Sequence, residues 1–180
     1  GGFLLYGAAG QWCETAGFAP LGMVKQERVP IAPLGMVKQE RVPIVPSGHG
    51  ETIKKEKLIA IVRGIAPEKC LKVAGALYAG GFRLVEITFD QKNPDSWATT
   101  AAAIKAVSEA YSGTMEVGAG TVTSVELVEL AASAGAKYII SPDTNIDVIK
   151  RTRELGLVSM PGALTPTEIL TAYNNGADFV

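Results

Sequence analysis

A single histidine, His49, and two cysteines, Cys13 and Cys70, are spread over 180 residues. That is too little for a disulfide framework and too scattered for a zinc site. No acidic cluster shows ligand spacing either, so the sequence implies no metal and no cofactor. Sparse cysteine suits a reducing compartment, and the expected location is the cytoplasm. An excess of charge of one sign is also missing: the formal net charge is −1, which leaves nothing to draw nucleic acid or an anionic membrane. No apolar run reaches the ~20 residues that span a bilayer. The apolar opening "GGFLLYGAAG" has no basic segment ahead of it and no convincing cleavage site behind it. Hydrophobic content of 47% against 19% charged then points to a globular domain with a core rather than a disordered chain.

What is present falls into two regions. In the first, "APLGMVKQERVPI" occupies residues 19–31 and recurs identically at 32–44. Two short copies do not make a solenoid, and Pro30, Pro33, Pro43 and Pro46 forbid a continuous helix. Residues 1–52 are read as an irregular extension; a tethering arm is the alternative to a segment with no fold of its own, and the composition favours the latter.

In the second region, residues 53–180, apolar strand-like runs alternate with helical patterns. "KLIAIVRG", "RLVEITF", "MEVGAGT", "KYIISP" and "LVSMPG" are short and bounded by turn residues, as buried parallel strands are. The stretches between them carry helix signals: Pro67 at a first turn and Gly80–Gly81 at its end, Thr123 with Glu126 at capping-box spacing, and Thr165, Pro166 and Glu168 opening a helix that Gly176 closes. "DFV" then reads as the start of a sixth strand. Strict alternation means a parallel sheet with crossover helices. The first strand-to-helix turn, "RGIAPEK", lacks the glycine fingerprint of a doubly wound nucleotide-binding sheet, and no glycine–lysine phosphate loop appears. Polar residues instead end several different strands: Arg63, Glu86, Thr88, Thr121 and Ser141. Chemistry assembled at the carboxyl ends of many strands is the mark of a barrel. The fold class is α/β, an incomplete (β/α)8 TIM barrel of about five and a half units.

Glu86 is the most informative residue. In "LVEIT", period two sets Leu84, Glu86 and Thr88 on one face and Val85 and Ile87 on the other. If the second set meets the helices, Glu86 points inward, where burial raises a carboxyl pKa toward a range useful for proton transfer. The competing reading is a structural ion pair with Arg63, whose planar cation also suits a substrate carboxylate. "GAGT" lets backbone approach a ligand closely and offers the Thr121 hydroxyl. "ISPD" and "MPGALTPTE" place Pro142 and Thr165 where two further strands end, positions that equally suit turns and caps. Cys70 reads as a packing residue.

In order, "AIVRGI", "AGGFRLVEITF", "VGAGTV", "AGAKYIISP" and "PGALTPTEI…NNGADFV" resemble the 2-keto-3-deoxy-6-phosphogluconate / 4-hydroxy-2-oxoglutarate aldolases and the related phosphogalactonate aldolases, from about Lys57 to Val180. The resemblance implies a metal-independent barrel, commonly a homotrimer. A sixth-strand lysine would form a Schiff base with pyruvate or with the 2-keto acid substrate. It maps the proton shuttle onto Glu86 and pyruvate binding onto Thr121, with Arg63, Pro142 and Thr165 as further substrate-binding positions. Asp90 stands where many members carry an arginine, which leaves Arg63 as the carboxylate receptor. The Schiff-base lysine is expected directly after Val180. Lys137 starts its strand, at the wrong end to replace it, so the 180 residues alone are expected to be inactive. The expected activity is that of a bifunctional 4-hydroxy-2-oxoglutarate and 2-dehydro-3-deoxy-phosphogluconate aldolase. The alternatives are a phosphogalactonate aldolase, another phosphate-binding barrel such as a sugar-phosphate epimerase, and an inert partial barrel.

Overall fold

The computed structural model describes residues 48–180. The tandem repeat, Cys13 and the rest of the expected extension up to Ser47 lie outside the described residues. The chain divides into two units, Gly1–Lys38 and Gln39–Val180, and only the second contains described residues.

Five parallel strands form one sheet in sequence order: β1 (Ala60–Val62), β2 (Leu84–Thr88), β3 (Glu116–Gly120), β4 (Tyr138–Ser141) and β5 (Val158–Pro161). α1 (Gly48–Glu56) precedes β1. α2 (Pro67–Ala79), α3 (Trp97–Ala110), α4 (Val125–Ser133) and α5 (Ile146–Glu154) connect the strands, and α6 (Pro166–Asn174) follows β5. A 3-10 turn, Pro94–Ser96, leads into α3. Alternating helices and strands paired in order are what right-handed crossovers produce, and the same order builds a β/α barrel.

The two faces of the sheet bury different cores. Val85, Ile87, Val117, Ala119 and Ile139 join the helix side, packed with Ala74, Ile104, Val107 and Leu127. Leu84, Tyr138 and Val158 line the opposite face with Ile53, and Ile140, Met160 and Phe179 pack against them. The period-two reading of "LVEIT" therefore holds, and Glu86 shares the inner face with Leu84.

Four expectations are revised. The boundary placed at residues 52–53 falls inside α1. Beyond Pro46 nothing forbids a helix, Lys54 pairs with Glu51 at 2.8 Å, and Ile53 supplies an apolar anchor under the inner face. The first strand is not fully buried: Ile61 is 62% exposed, because β1 pairs with β2 alone among the described residues. The sixth strand does not form within Ala177–Val180. The amides of Asp178 and Phe179 donate to the Ser159 carbonyl on the outer edge of β5 (2.9 and 3.2 Å). The Ser159 amide, however, donates to the Asp178 carboxylate at 2.8 Å instead of to a strand carbonyl, and Arg153 holds that carboxylate in place. Finally, Ser124 and not Thr123 caps α4, accepting from the Leu127 amide at 3.3 Å.

The cap of α6 matches its sequence signal. The Thr165 hydroxyl accepts from the Glu168 amide (3.2 Å), while the Glu168 carboxylate accepts from the amides of Thr165 and Leu164 (2.8 and 2.9 Å). Those bonds hold the Glu168 carboxyl below its usual range, the Leu164 amide contributing most. Loss of a threonine cap costs about 1 kcal/mol. Thr165→Ala is expected to lower the thermal midpoint by roughly 2–4 °C in a calorimetric scan.

Candidate active site

Glu86 sits in the middle of β2, in register with Ile61 on one side and Gly118 on the other. It is 4% exposed, and its side chain leans toward the carboxyl ends of the strands. Gly120 reveals that lean: a methyl group there would overlap the Glu86 carboxylate. Gly118, two residues earlier on the same inner face, leaves room for another group, since a methyl group there would overlap the Tyr138 ring. The two glycines of "GAG" thus open two adjacent spaces, one filled by an aromatic ring and the next by a carboxylate.

Tyr138 lies at the start of β4, fully buried, and its hydroxyl donates to the Val85 carbonyl at 2.7 Å. Burial pushes that hydroxyl well above its usual pKa, and the negative charges of Glu86 and Glu116 push it further. It remains a neutral donor, and its ring forms an apolar floor below the carboxylate. Burial likewise pushes the Glu86 carboxyl above its usual range, partly offset by the positive charge of Arg63. Among the described residues no group hydrogen-bonds to the Glu86 carboxylate. Desolvation therefore dominates the upward shift.

Arg63 follows β1. The competing reading of an ion pair with Glu86 is not realised; the Arg63 Nη2 donates to the Thr121 hydroxyl at 3.2 Å. Thr121 follows β3 with φ of 58°, a left-handed conformation that costs a β-branched residue on the order of 1–3 kcal/mol. Arg63, Thr88, Phe89, Asp90, Gln91 and Thr121 border a cavity of about 350 Å³ at the carboxyl ends of β1 to β3. Asp90 is committed locally: its carboxylate accepts from the Lys92 amide at 2.9 Å, and its carbonyl accepts from the Trp97 indole at 2.9 Å. A second cavity of about 380 Å³ lies at the amino ends, between α1 and β3, and Lys137 lines it together with His49 and Glu116. Lys137 is thus at the opposite end from Arg63, as its position in the strand implied.

Arg63 and Thr121 border the cavity at the carboxyl ends; Glu86 does not line it, although the positive charge of Arg63 reaches its carboxyl. Pro142 and Thr165 do not border that cavity. The Pro142 carbonyl lies close against Gly162, and the Thr165 hydroxyl is engaged in the α6 cap. Cys70 is buried, its thiol pushed up by burial and then by Glu68, and it donates weakly to the Ile65 carbonyl. It packs and is not activated. Two residues escaped the sequence reading. Tyr138 had a signal, since paired inner-face glycines need something large to fill their space. Gln91, whose amide donates to the Thr121 carbonyl at 2.6 Å, had none. Among the described residues no three His, Cys, Asp or Glu side chains gather as a metal site requires, and no helix is long and apolar enough to cross a membrane.

Residues 50–180 match the family model described as KDPG and KHG aldolase. The probable 2-dehydro-3-deoxy-6-phosphogalactonate aldolase of Rhizobium meliloti is 40% identical over 67% of this chain and 54% of its own length. A solved native KDPGal structure is 38% identical, covering 66% of this chain and 55% of that one with a TM-score of 0.59. KDPG aldolase from Legionella pneumophila, solved with pyruvate captured as a covalent carbinolamine, shares the fold at 22% identity, with a TM-score of 0.62 over 71% of this chain and 58% of that one. The chain spans about half the length of the curated relatives it matches. Five parallel strands alternating with helices, an inner-face glutamate over a glycine, and a match from residue 50 to residue 180 lead to one conclusion: the chain belongs to the KDPG and KHG aldolase family.

Proposed function

We propose that the protein cleaves 2-dehydro-3-deoxy-6-phosphogalactonate to pyruvate and glyceraldehyde 3-phosphate, through a Schiff base on a lysine following Val180. The observation that carries this reading is the Glu86 carboxyl: it is buried, raised in pKa, set over Gly120, and under the influence of the positive charge of Arg63. In such a reaction the lysine amine adds to the C2 ketone, and loss of water gives an iminium that draws electrons from the C3–C4 bond. The C4 hydroxyl gives up its proton as the bond breaks and the aldehyde leaves; the enamine takes a proton at C3, and water then hydrolyses the imine to free pyruvate and the lysine amine. Glu86 is suited to carry the protons of carbinolamine formation and breakdown, because burial raises its carboxyl above the usual range and makes it a better base than an exposed carboxylate. Arg63 is suited to the substrate carboxylate, since its planar guanidinium can pair with both carboxylate oxygens at once.

The galacto substrate is preferred over the phosphogluconate and 4-hydroxy-2-oxoglutarate reading because of the relatives. A relative at 40% identity and a solved structure at 38% carry the phosphogalactonate name. Asp90, where many members of the family carry an arginine, is occupied by its own turn and leaves the carboxylate to Arg63. A cytoplasmic homotrimer is the expected form. Pyruvate plus borohydride is expected to inactivate the whole gene product irreversibly and to leave an adduct on one lysine by peptide mapping. Absence of the adduct would reject the Schiff base. Faster turnover of the gluco epimer than of the galacto epimer would restore the other substrate.

A further inference from the structure

Thr121 holds its hydroxyl toward Arg63 only while its backbone stays at a φ of 58°, a conformation that a threonine leaves unless its surroundings impose it. Gln91 supplies that constraint. Its amide nitrogen donates to the Thr121 carbonyl at 2.6 Å, and its amide oxygen accepts from the Thr123 hydroxyl at 2.9 Å. The orientation of the amide follows from the chemistry: a carbonyl only accepts, so the nitrogen faces Thr121 and the oxygen is left for Thr123. Thr123 is held in turn, because its carbonyl accepts from the Asn145 amide nitrogen at 3.3 Å. Asn145 is fixed by capping α5, where its oxygen accepts from the amides of Asp147 and Val148. The far end of the chain of bonds is anchored too, since Asp90, beside Gln91, is gripped by the Trp97 indole and the Lys92 amide.

We propose that Gln91 is a positioning residue for substrate carboxylate recognition: it clamps the turn after β3 so that the Thr121 hydroxyl and the Arg63 guanidinium are presented together. This rests on the aldolase reading above, in which that pair receives the carboxylate. Gln91 is itself exposed at the rim of the cavity and carries no core packing. Its loss acts on binding and not on the fold.

The test is steady-state kinetics of the whole gene product with the keto-deoxy phosphogalactonate. Gln91→Ala is expected to raise KM about tenfold, the effect of one lost hydrogen bond, with kcat little changed and the thermal midpoint unmoved. Thr123→Val, which frees the amide oxygen of Gln91, is expected to raise KM by about threefold. Because both act through one chain of bonds, the double variant should be no worse than Gln91→Ala alone. Gln91→Glu keeps the acceptor for Thr123 but faces the Thr121 carbonyl with an anion, and should be at least as impaired as Gln91→Ala. The proposal is overturned if KM is unchanged in Gln91→Ala while Arg63→Ala raises it. It is equally overturned if the two KM effects multiply, or if Gln91→Ala lowers kcat and the midpoint without touching KM. If the wild type does not turn over the keto-deoxy acid, or Arg63→Ala leaves KM unchanged, the underlying site assignment fails and the clamp fails with it.

Discussion

Gly118→Ala is expected to lower the thermal midpoint of the protein by roughly 10 °C. The added carbon would fall within the Tyr138 ring, and three ring atoms would be overlapped. That ring is completely buried, on a strand that β3 and β5 flank on both sides, so it has no free space to swing into. Forcing a methyl group into a packed interior costs about 1–3 kcal/mol. A displaced Tyr138 also loses the 2.7 Å bond to the Val85 carbonyl, leaving a buried hydroxyl unsatisfied at about 1–3 kcal/mol more. At roughly 2–4 °C per kcal/mol for a chain of this size, the sum gives the expected fall. Differential scanning calorimetry reads it directly. Combining Gly118→Ala with Tyr138→Leu should recover part of the loss, because the smaller side chain vacates the contested space. A midpoint within a degree or two of the parent would show that the ring does not lie over Gly118.

This glycine also marks how far the sequence alone reaches. Period two in "LVEIT" identifies the inner face of β2 because both faces of a buried strand obey a local rule: Val85 and Ile87 meet helices, Leu84 and Glu86 do not. "GAG" is legible only as permission for close approach. What approaches is a ring from β4 and a carboxylate from β2, both distant in sequence, and no local pattern names them. Thr123 and Ser124 show the same limit at short range. Either hydroxyl fits a cap, and the choice is made by Gln91, far earlier in the chain, which engages Thr123 and leaves Ser124 to the helix. The start of the folded region is hidden for a different reason. Prolines ending at Pro46 make the whole segment read as irregular, while the anchor of α1 is one residue, Ile53, whose partners lie on β2, β4 and β5. Arg63 is legible as a strand-end cation, yet its partner is Thr121 and not Glu86, because the glutamate leans over Gly120 and the threonine turns back in the left-handed region.

Glu86→Gln should separate function from stability, with opposite signs. Removing a general acid–base group typically costs a factor of about 10²–10⁴ in rate, and kcat of the whole gene product is expected to fall by that much, since the amide can neither take nor give the proton. Stability should move the other way near neutral pH. Burial raises the folded-state pKa of Glu86 above its ordinary value of 4.5, so the folded state holds its proton at pH values where the unfolded chain has lost it. The stabilising contribution is then fully present below the unfolded pKa, near 4.5, and is lost as pH rises through the higher folded pKa. Above that point the parent carries a desolvated charge that no described group hydrogen-bonds, and the glutamine variant does not. The variant should therefore match the parent near pH 4 and exceed it increasingly as pH rises above 4.5, until the raised folded pKa is passed, as measured by urea denaturation at acid and at mildly alkaline pH. Arg63 opposes this trend through its positive charge, so the stability gained by Glu86→Gln at about pH 8 should be larger in an Arg63→Ala background. A glutamine variant that is less stable than the parent at every pH would mean that the carboxylate is well solvated or paired. Glu86 would then be a structural anion, and the proton-transfer role assigned to it would have to move elsewhere.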